Sequence, residues 1–213
     1  MKLKINEIYY SIQGESSYMG KPCIFIRLTY CNLRCTYCDS EYTFHEGNDM
    51  SIDDIIDKIK KYSCKLVEVT GGEPLFQKNC INLLKKLVDL KYDVLLETSG
   101  SLSIENVPKE VVNIIDFKCP SSNMKKKNYW ENIQFIKPED EIKFVIGNKE
   151  DYDWAKEKIN KYNLIDTCTV LMSHIYKKIE PKTITKWILE DSLDVRFQIQ
   201  LHKEIWEDKE KGV

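Results

Sequence analysis

The sequence predicts an α/β fold built on a parallel sheet, and three observations support this. Short β-branched runs alternate with amphipathic helical patterns. No internal repeat, low-complexity stretch or Pro/Gly/Ser-rich linker interrupts the alternation, so residues 1–213 read as one domain. The polar and Gly-rich segments fall directly after candidate strands, where parallel α/β architectures build ligand sites.

A strand-like piece, Ile5 to Tyr10, opens the chain. Candidate core strands follow at Cys23–Thr29, Leu66–Thr70, Val94–Thr98, Val112–Phe117, Ile142–Ile146, Thr169–Met172 and Val195–Leu201. Three helices lie between them. Ser51 caps the first, which carries Ile52, Ile55, Ile56 and Ile59 on one face, with Asp54 completing a capping box. Asn79 is placed to cap the second, with Leu83, Leu84, Leu87 and Val88. Asp151 begins the third, with Trp154, Ala155 and Ile159. Right-handed crossovers would join the parallel strands.

Composition narrows the class. Four Trp, twelve Tyr and seven Phe argue against disorder. With 32 basic and 34 acidic residues, the chain has no general affinity for nucleic acid, and Lys125-Lys126-Lys127 reads as a solvated loop. The N-terminus lacks a long apolar region and no segment reaches bilayer-spanning length, so a cytoplasmic protein without a membrane partner is expected. Of eight Cys, five (Cys23, Cys64, Cys80, Cys119 and Cys168) are isolated and mostly in or beside apolar segments, where buried thiol is the default.

The other three thiols are different. Cys31, Cys35 and Cys38 lie within eight residues, spaced C-x3-C-x2-C, after the first core strand. A zinc site or a complete iron–sulfur ligand set normally takes four protein ligands. Three leave one iron of a four-iron cluster open to the amine and carboxylate of an amino acid. After the next strand comes Gly71-Gly72-Glu73-Pro74. The glycines permit close backbone approach, and Glu73 offers a carboxylate to an ammonium group. Alone, that tetrapeptide could equally be a tight turn. Beside the cysteine loop it suits the methionine end of S-adenosylmethionine.

These two motifs resemble the radical S-adenosylmethionine enzymes from about Cys23 to Lys143. The resemblance implies a partial, open (β/α)6 barrel with an N-terminal extension and a shortened helical layer. It also implies a [4Fe–4S] cluster on Cys31, Cys35 and Cys38, and reductive cleavage of the sulfonium to a 5′-deoxyadenosyl radical. Further segments are similar to the deazaguanine-forming branch of that superfamily, in its order. They are Ile8 to Glu15, Arg27, Asp39-Ser40, Glu97-Thr98, Lys118 to Ser122, and Gln200 to Trp206 followed by Lys211-Gly212-Val213. That branch contracts 6-carboxy-5,6,7,8-tetrahydropterin with loss of ammonia, on the route to queuosine and other 7-deazapurines, and uses Mg²⁺.

Residue by residue, the resemblance implies cofactor contacts at Tyr37, Cys38, Asp39, Gly71, Gly72, Glu73, Thr98, Asp116, Lys118, Ser121 and Ser122. It implies substrate contacts at Ile12, Gln13, Gly14, Glu15, Arg27 and Thr70, and a Mg²⁺ contact at Ser40. Arg27 has the planar fork suited to a carboxylate, although a surface-facing strand residue would look the same. The branch's usual Ser-Pro-Lys-Pro-Pro-Ser-Ser is here Asp116-Phe117-Lys118-Cys119-Pro120-Ser121-Ser122, which keeps the Lys and both Ser. A homodimer and a flavodoxin or ferredoxin as reductant are also implied. His174 and His202 have no partner visible in sequence and read as structural. Two rivals stay open at this level. One is a glycyl-radical activating enzyme, and the other an electron-transfer module completed by Cys23 or Cys64.

Overall fold

The computed structural model describes residues 1–207, 209, 211 and 212, and Val213 lies outside them. One sheet gathers nine strands: β1 (Lys2–Ile12), β2 (Pro22–Leu28), β3 (Asn48–Ser51), β4 (Leu66–Gly71), β5 (Asp93–Thr98), β6 (Val112–Asp116), β7 (Glu141–Ile146), β8 (Thr169–His174) and β9 (Arg196–Gln198). Their order is β3-β1-β2-β4-β5-β6-β7-β8-β9. β1 pairs antiparallel with β2 and β3, while β2 and β4 through β9 run parallel. The sheet is therefore open. Six parallel strands form the partial barrel, and a three-residue seventh edges it.

Period-two alternation decides which side the helices cover. Ile24, Ile26, Leu28, Val67, Val69, Val94 and Leu96 pack against the apolar faces of α1 (Ile52–Ile59) and α2 (Cys80–Asp89). Ile115, Ile142, Phe144, Val170 and Met172 do the same under α3 (Lys149–Lys161) and α4 (Pro181–Glu190). The opposite, concave face is apolar only near the strands' amino ends, around Tyr9, Cys23, Phe25, Leu66, Leu95 and Ile114. Further along the same strands it carries Arg27, Glu68, Thr70, Glu97, Asp116, Lys143 and Ser173. A helix-covered parallel sheet normally has two apolar faces. The polar side marks where the site lies.

Several boundaries differ from expectation. β1 is longer than Ile5–Tyr10, because antiparallel pairing with both β2 and β3 extends it. β9 stops at Gln198, and the residues expected to continue it lead into α5 (Leu201–Trp206). The Ser51 capping box forms as expected. Asn79 makes no cap hydrogen bond, since its Nδ2 donates instead to the Lys2 carbonyl at 2.9 Å. Helix α3 starts at Lys149 under the Asn148 side chain, leaving Asp151 one turn inside. The β5–β6 crossover has no helix and the β6–β7 crossover only 3-10 turns, which is the shortened helical layer.

Leu84 is fully buried beneath α2, whereas Leu189 on α4 is 78% exposed. Leu84→Ala is expected to lower stability in urea by about 2–5 kcal/mol, and Leu189→Ala by less than about 0.5 kcal/mol.

Candidate active site

The cysteine loop leaves the end of β2 and crosses the carboxyl edge of the sheet. Neighbouring loops clasp it at both ends. Asn32 Nδ2 donates to Ser101 Oγ at 3.0 Å, beyond β5. Thr36 N donates to the Ser122 carbonyl at 3.2 Å, beyond β6. The Thr36 hydroxyl donates to the Ser121 carbonyl at 2.6 Å. Leu33 is buried under the loop, which leaves Cys31, Cys35 and Cys38 half-buried and unpaired. Burial raises the Cys31 thiol and pushes that of Cys35 up to about 11, with the Lys118 ammonium opposing both. Iron binding must displace those protons. Cys23 sits near the amino end of β2, five residues before Leu28, and Cys64 precedes β4. At ~3.3 Å per residue, Cys23 is roughly 17 Å from the loop, so neither thiol is a fourth ligand.

Gly71 and Gly72 bring the end of β4 against that loop. A Cβ on Gly71 would overlap the Leu28 carbonyl, and one on Gly72 would overlap the Tyr30 carbonyl and crowd Cys31. Gly72 N donates to Leu28 O at 3.2 Å and Glu73 N to Tyr30 O at 2.8 Å, extending the β2–β4 ladder into the loops. Glu73 itself is fully buried. It accepts from Leu75 N at 2.9 Å, Thr98 Oγ1 at 2.9 Å and Ser99 N at 2.8 Å, with the Ser99 hydroxyl also donating. Burial raises its pKa against those hydrogen bonds. Glu73 and Thr98 thus tie the loop after β4 to the end of β5.

Beyond β6, Lys118 Nζ pairs with Asp116 Oδ2 at 2.8 Å. Asp116 Oδ1 and Tyr37 Oη are buried without a hydrogen-bond partner among the described residues. Burial raises the Tyr37 phenol, with Lys118 acting in opposition. Two orphaned polar atoms beside three thiols and a lysine fit a polar cofactor bound against a metal cluster. The serines contribute differently. Ser121 N donates to Asp151 Oδ1 at 2.8 Å and its hydroxyl bonds the same carboxylate, while Ser122 Oγ donates to Cys119 O at 2.6 Å. Their carbonyls, rather than their hydroxyls, reach the cysteine loop.

The N-terminal extension supplies the other half. After Ile12 closes β1, residues 13–17 run across the concave face and bond strand after strand. Gln13 Nε2 donates to Glu68 on β4. Glu15 Oε2 meets Lys143 Nζ of β7 at 2.9 Å. Ser16 N donates to Gln198 of β9 at 2.7 Å, and Ser17 N to Glu141 of β7 at 3.0 Å. Lys143, only 5% exposed, also pairs with Glu97 and lies 3.7 Å from Asp116. Burial alone would lower its pKa, but these carboxylates hold it well above the ordinary lysine value. Glu97, which accepts from the Thr70 hydroxyl at 3.1 Å, is kept ionised by Lys143 despite burial. Burial and the neighbouring Glu97 raise Glu68.

Arg27 directs Nε to Glu7 and one Nη to the Tyr9 hydroxyl, both at 2.7 Å, and its other Nη has no hydrogen bond among the described residues. The C-terminal segment folds back over this side. Gln200 Nε2 donates to Glu15 at 2.9 Å and to Asp39 at 3.2 Å, and Lys203 Nζ lies 3.3 Å from Asp39. Against partial burial, these two hold the Asp39 carboxyl down at about 2. His202 packs on Gly14, where any Cβ would overlap its ring. Burial lowers its pKa while Glu15 opposes, so the ring is neutral at pH 7. Ser40 Oγ makes only a 3.8 Å contact with Cys38 Sγ. His174 ends β8 with Nδ1 buried and unpartnered. No contact was assigned from sequence to Glu68, Glu97 or Lys143, which the fold brings onto this face, and His202, read as structural, packs on Gly14. Charged residues inside otherwise apolar strands were the available signal for the first three.

Residues 25–180 match the Radical SAM superfamily. The chain belongs to that superfamily, as the cysteine loop and glycine turn imply. The 7-carboxy-7-deazaguanine synthase of Koribacter versatilis is 45% identical, covering 99% of this chain and all of the relative. That of Chlorobaculum tepidum is 42% identical over 99% of this chain and 97% of its own. The crystal structure of QueE from Escherichia coli shares the fold at 20% identity, with a TM-score of 0.79 over 95% of each chain. Within the superfamily, the chain is a member of the 7-carboxy-7-deazaguanine synthase family.

Lys143→Met leaves Glu15 and Glu97 facing each other without a cation. It is expected to lower stability at pH 7 by about 3–5 kcal/mol, measured by urea unfolding. Asp39 titrates lower in the folded protein than its ordinary value of 3.8. Its tie to Lys203 therefore contributes fully above about pH 4 and is lost as pH falls towards about 2. The stability difference between the wild type and Asp39→Asn should stay constant from about pH 7 to 5 and vanish in strong acid, by acid-unfolding curves.

Proposed function

We propose that this enzyme converts 6-carboxy-5,6,7,8-tetrahydropterin to 7-carboxy-7-deazaguanine with release of ammonia. The observation that carries the reading is one continuous polar face. Its cysteine loop, Asp116 and Lys118 lie on one side, and Gln13, Glu15, Arg27 and His202 on the other, joined through Lys143. Near-full-length similarity to enzymes named for that product supports the same conclusion.

When bound, a [4Fe–4S] cluster and S-adenosylmethionine supply a carbon-centred radical that removes hydrogen from the substrate. Cys31, Cys35 and Cys38 would hold the cluster. Gly71 and Gly72 open backbone space for the methionine end, with Glu73 and Thr98 keeping that turn in place. Tyr37 borders the adenosine side, and Asp39 stands where the cofactor side meets the Gln200–Lys203 segment. Asp116 and Lys118 offer a carboxylate and an ammonium to the ribose and the cofactor carboxylate, and Ser121 and Ser122 position the loop that carries them.

Arg27 binds the substrate carboxylate through its uncommitted Nη. The Ile12–Gly14 backbone, Gln13, Glu15 and Thr70 read the donor and acceptor edge of the pterin, with Glu97 and Glu68 as further acceptors. His202, neutral at pH 7, can accept a proton at the substrate's edge. The Gln200–Lys203 segment covers this side and excludes water. Ser40 contacts Mg²⁺, its hydroxyl having only the Cys38 thiol beside it among the described residues. One neutral oxygen is a weak ligand, so the substrate carboxylate and waters must complete the coordination. The whole chain acts as one domain, a reading supported by the single sheet. A homodimer and an electron-carrying partner protein belong to the same proposal. No helix among the described residues is long and apolar enough to cross a membrane.

Anaerobic incubation of reconstituted protein with dithionite, S-adenosylmethionine, Mg²⁺ and the carboxytetrahydropterin should yield the deazaguanine chromophore. Cys35→Ala should lose bound iron and all product. Arg27→Gln should retain iron but lose about 1.5–3 kcal/mol of transition-state binding in kcat/KM, and Ser40→Ala should reduce the response to Mg²⁺. Cofactor cleavage without product in the wild type would refute the assignment.

A further inference from the structure

Around the rim, the loops that clasp the cysteine loop are basic, with acidic residues only at their borders, at Asp39, Glu105, Asp116 and Glu131. Residues 28–38, 99–104 and 117–130 form the loops that clasp one another there. They contain no Asp or Glu in a chain that has 34, yet they carry Arg34, Lys118, Lys125, Lys126 and Lys127. Lys118 is committed to Asp116. Asp39, beside the last cysteine, is tied to Lys203 and Gln200.

Lys125, Lys126 and Lys127 form an exposed 3-10 turn, and none of their ammonium groups has an ion pair or hydrogen bond among the described residues. Hydrogen bonds fix where this turn sits. On one side, Met124 N donates to Ser122 Oγ at 3.0 Å, and the Ser122 carbonyl holds Thr36, between Cys35 and Cys38. On the other side, Tyr129 N donates to the Gly100 carbonyl at 2.8 Å, next to the Ser101 hydroxyl that bonds Asn32. The three lysines therefore bridge the two points at which the cysteine loop is clasped. Asn32, Arg34 and Thr36 are exposed alongside. Tyr129 and Tyr30 add aromatic surface, 40% and 38% exposed.

We infer that this rim is the docking surface for an acidic flavoprotein of the flavodoxin type that reduces the cluster. The inference rests on the proposed function. One electron leaves the partner's reduced flavin, which is oxidised, and enters the cluster, which is reduced. Electron transfer falls steeply with distance, so a donor must dock on the edge nearest the cysteines. Unpaired lysines there steer an acidic partner and repel basic ones. Exposed Tyr129, which follows the lysine turn, and Tyr30, which precedes Cys31, match the aromatic edge of a flavin better than a surface of charge alone, which favours a flavoprotein over a ferredoxin.

The test uses reconstituted enzyme and a small acidic flavodoxin, with complex formation followed by fluorescence anisotropy. Replacing Lys125, Lys126 and Lys127 together by Gln should weaken binding about tenfold or more at about 50 mM salt, and the two proteins should converge near about 500 mM. Lys58→Gln with Lys61→Gln on the far side, at α1, should change nothing. Dithionite-driven formation of 5′-deoxyadenosine should be the same in the triple variant and the wild type, while the flavodoxin-driven rate falls. Unchanged binding by the triple variant would overturn the inference, as would an equal loss of the dithionite-driven rate. Lysine-dependent binding of a ferredoxin but not of the flavodoxin would overturn the choice of partner. Absence of deazaguanine from the wild type would leave the binding result intact and count against the proposed reaction alone.

Discussion

The ammonium of Lys143 is the interaction on which the rest of the site depends. It is 5% exposed and meets carboxylates from three parts of the chain: Glu15 of the N-terminal extension, Glu97 of β5 and Asp116 of β6. A charge taken out of water is costly unless paired and hydrogen-bonded. Here one cation serves three anions on a face that also carries Glu68 and Glu141. Remove it, and Glu15 and Glu97 face one another without a cation, while Asp116 keeps Lys118. Because its partners are far apart in sequence, the same ammonium also fastens the extension across the open barrel.

That fastening gives the site its floor. Residues 13–17 form a bar that touches β4, β7 and β9, and Tyr18 just beyond it packs on the apolar patch around Tyr9, Phe25 and Ile114. Above the bar lie the groups suited to a charged, planar substrate. The cysteine loop stands at the far rim, where Asp116 and Lys118 link it to Lys143. The cofactor side and the substrate side are thus two ends of one chain of alternating charges. The cysteine loop and the Arg27–Glu15 side share one polar face of the sheet.

Much of this was legible in the chain. The C-x3-C-x2-C loop and the Gly-Gly turn are short-range features whose chemistry is local, and six of the parallel strands announced themselves by β-branched runs. The capping box at Ser51 is local too, and it formed. Asn79 went elsewhere because a distant acceptor, the Lys2 carbonyl, competed for its amide. β3 has a polar sequence, Asn48-Asp49-Met50-Ser51, and exists because β1 offers it a partner. β9 is cut short as the chain turns to bring Gln200 and His202 over Gly14 and Glu15. Glu97 stood in a segment matched by resemblance, whereas Glu68 and Lys143 carried no assignment inside apolar strands. Only their shared face made them one network.

The set of elements and the chemistry of contiguous motifs are local matters: three thiols in one loop, a glycine turn after a strand, and alternating apolar positions that dictate which face the helices cover. Backbone sterics, ligand spacing and side-chain period act over a few residues, so they can be read without knowing the fold. Which charges neutralise one another, how the N-terminal extension crosses the sheet, and the packing of His202 on Gly14 were set by the folded arrangement. Electrostatic pairing in a buried setting depends on distances between segments more than one hundred residues apart, as with Glu15 and Lys143. No local pattern encodes those distances.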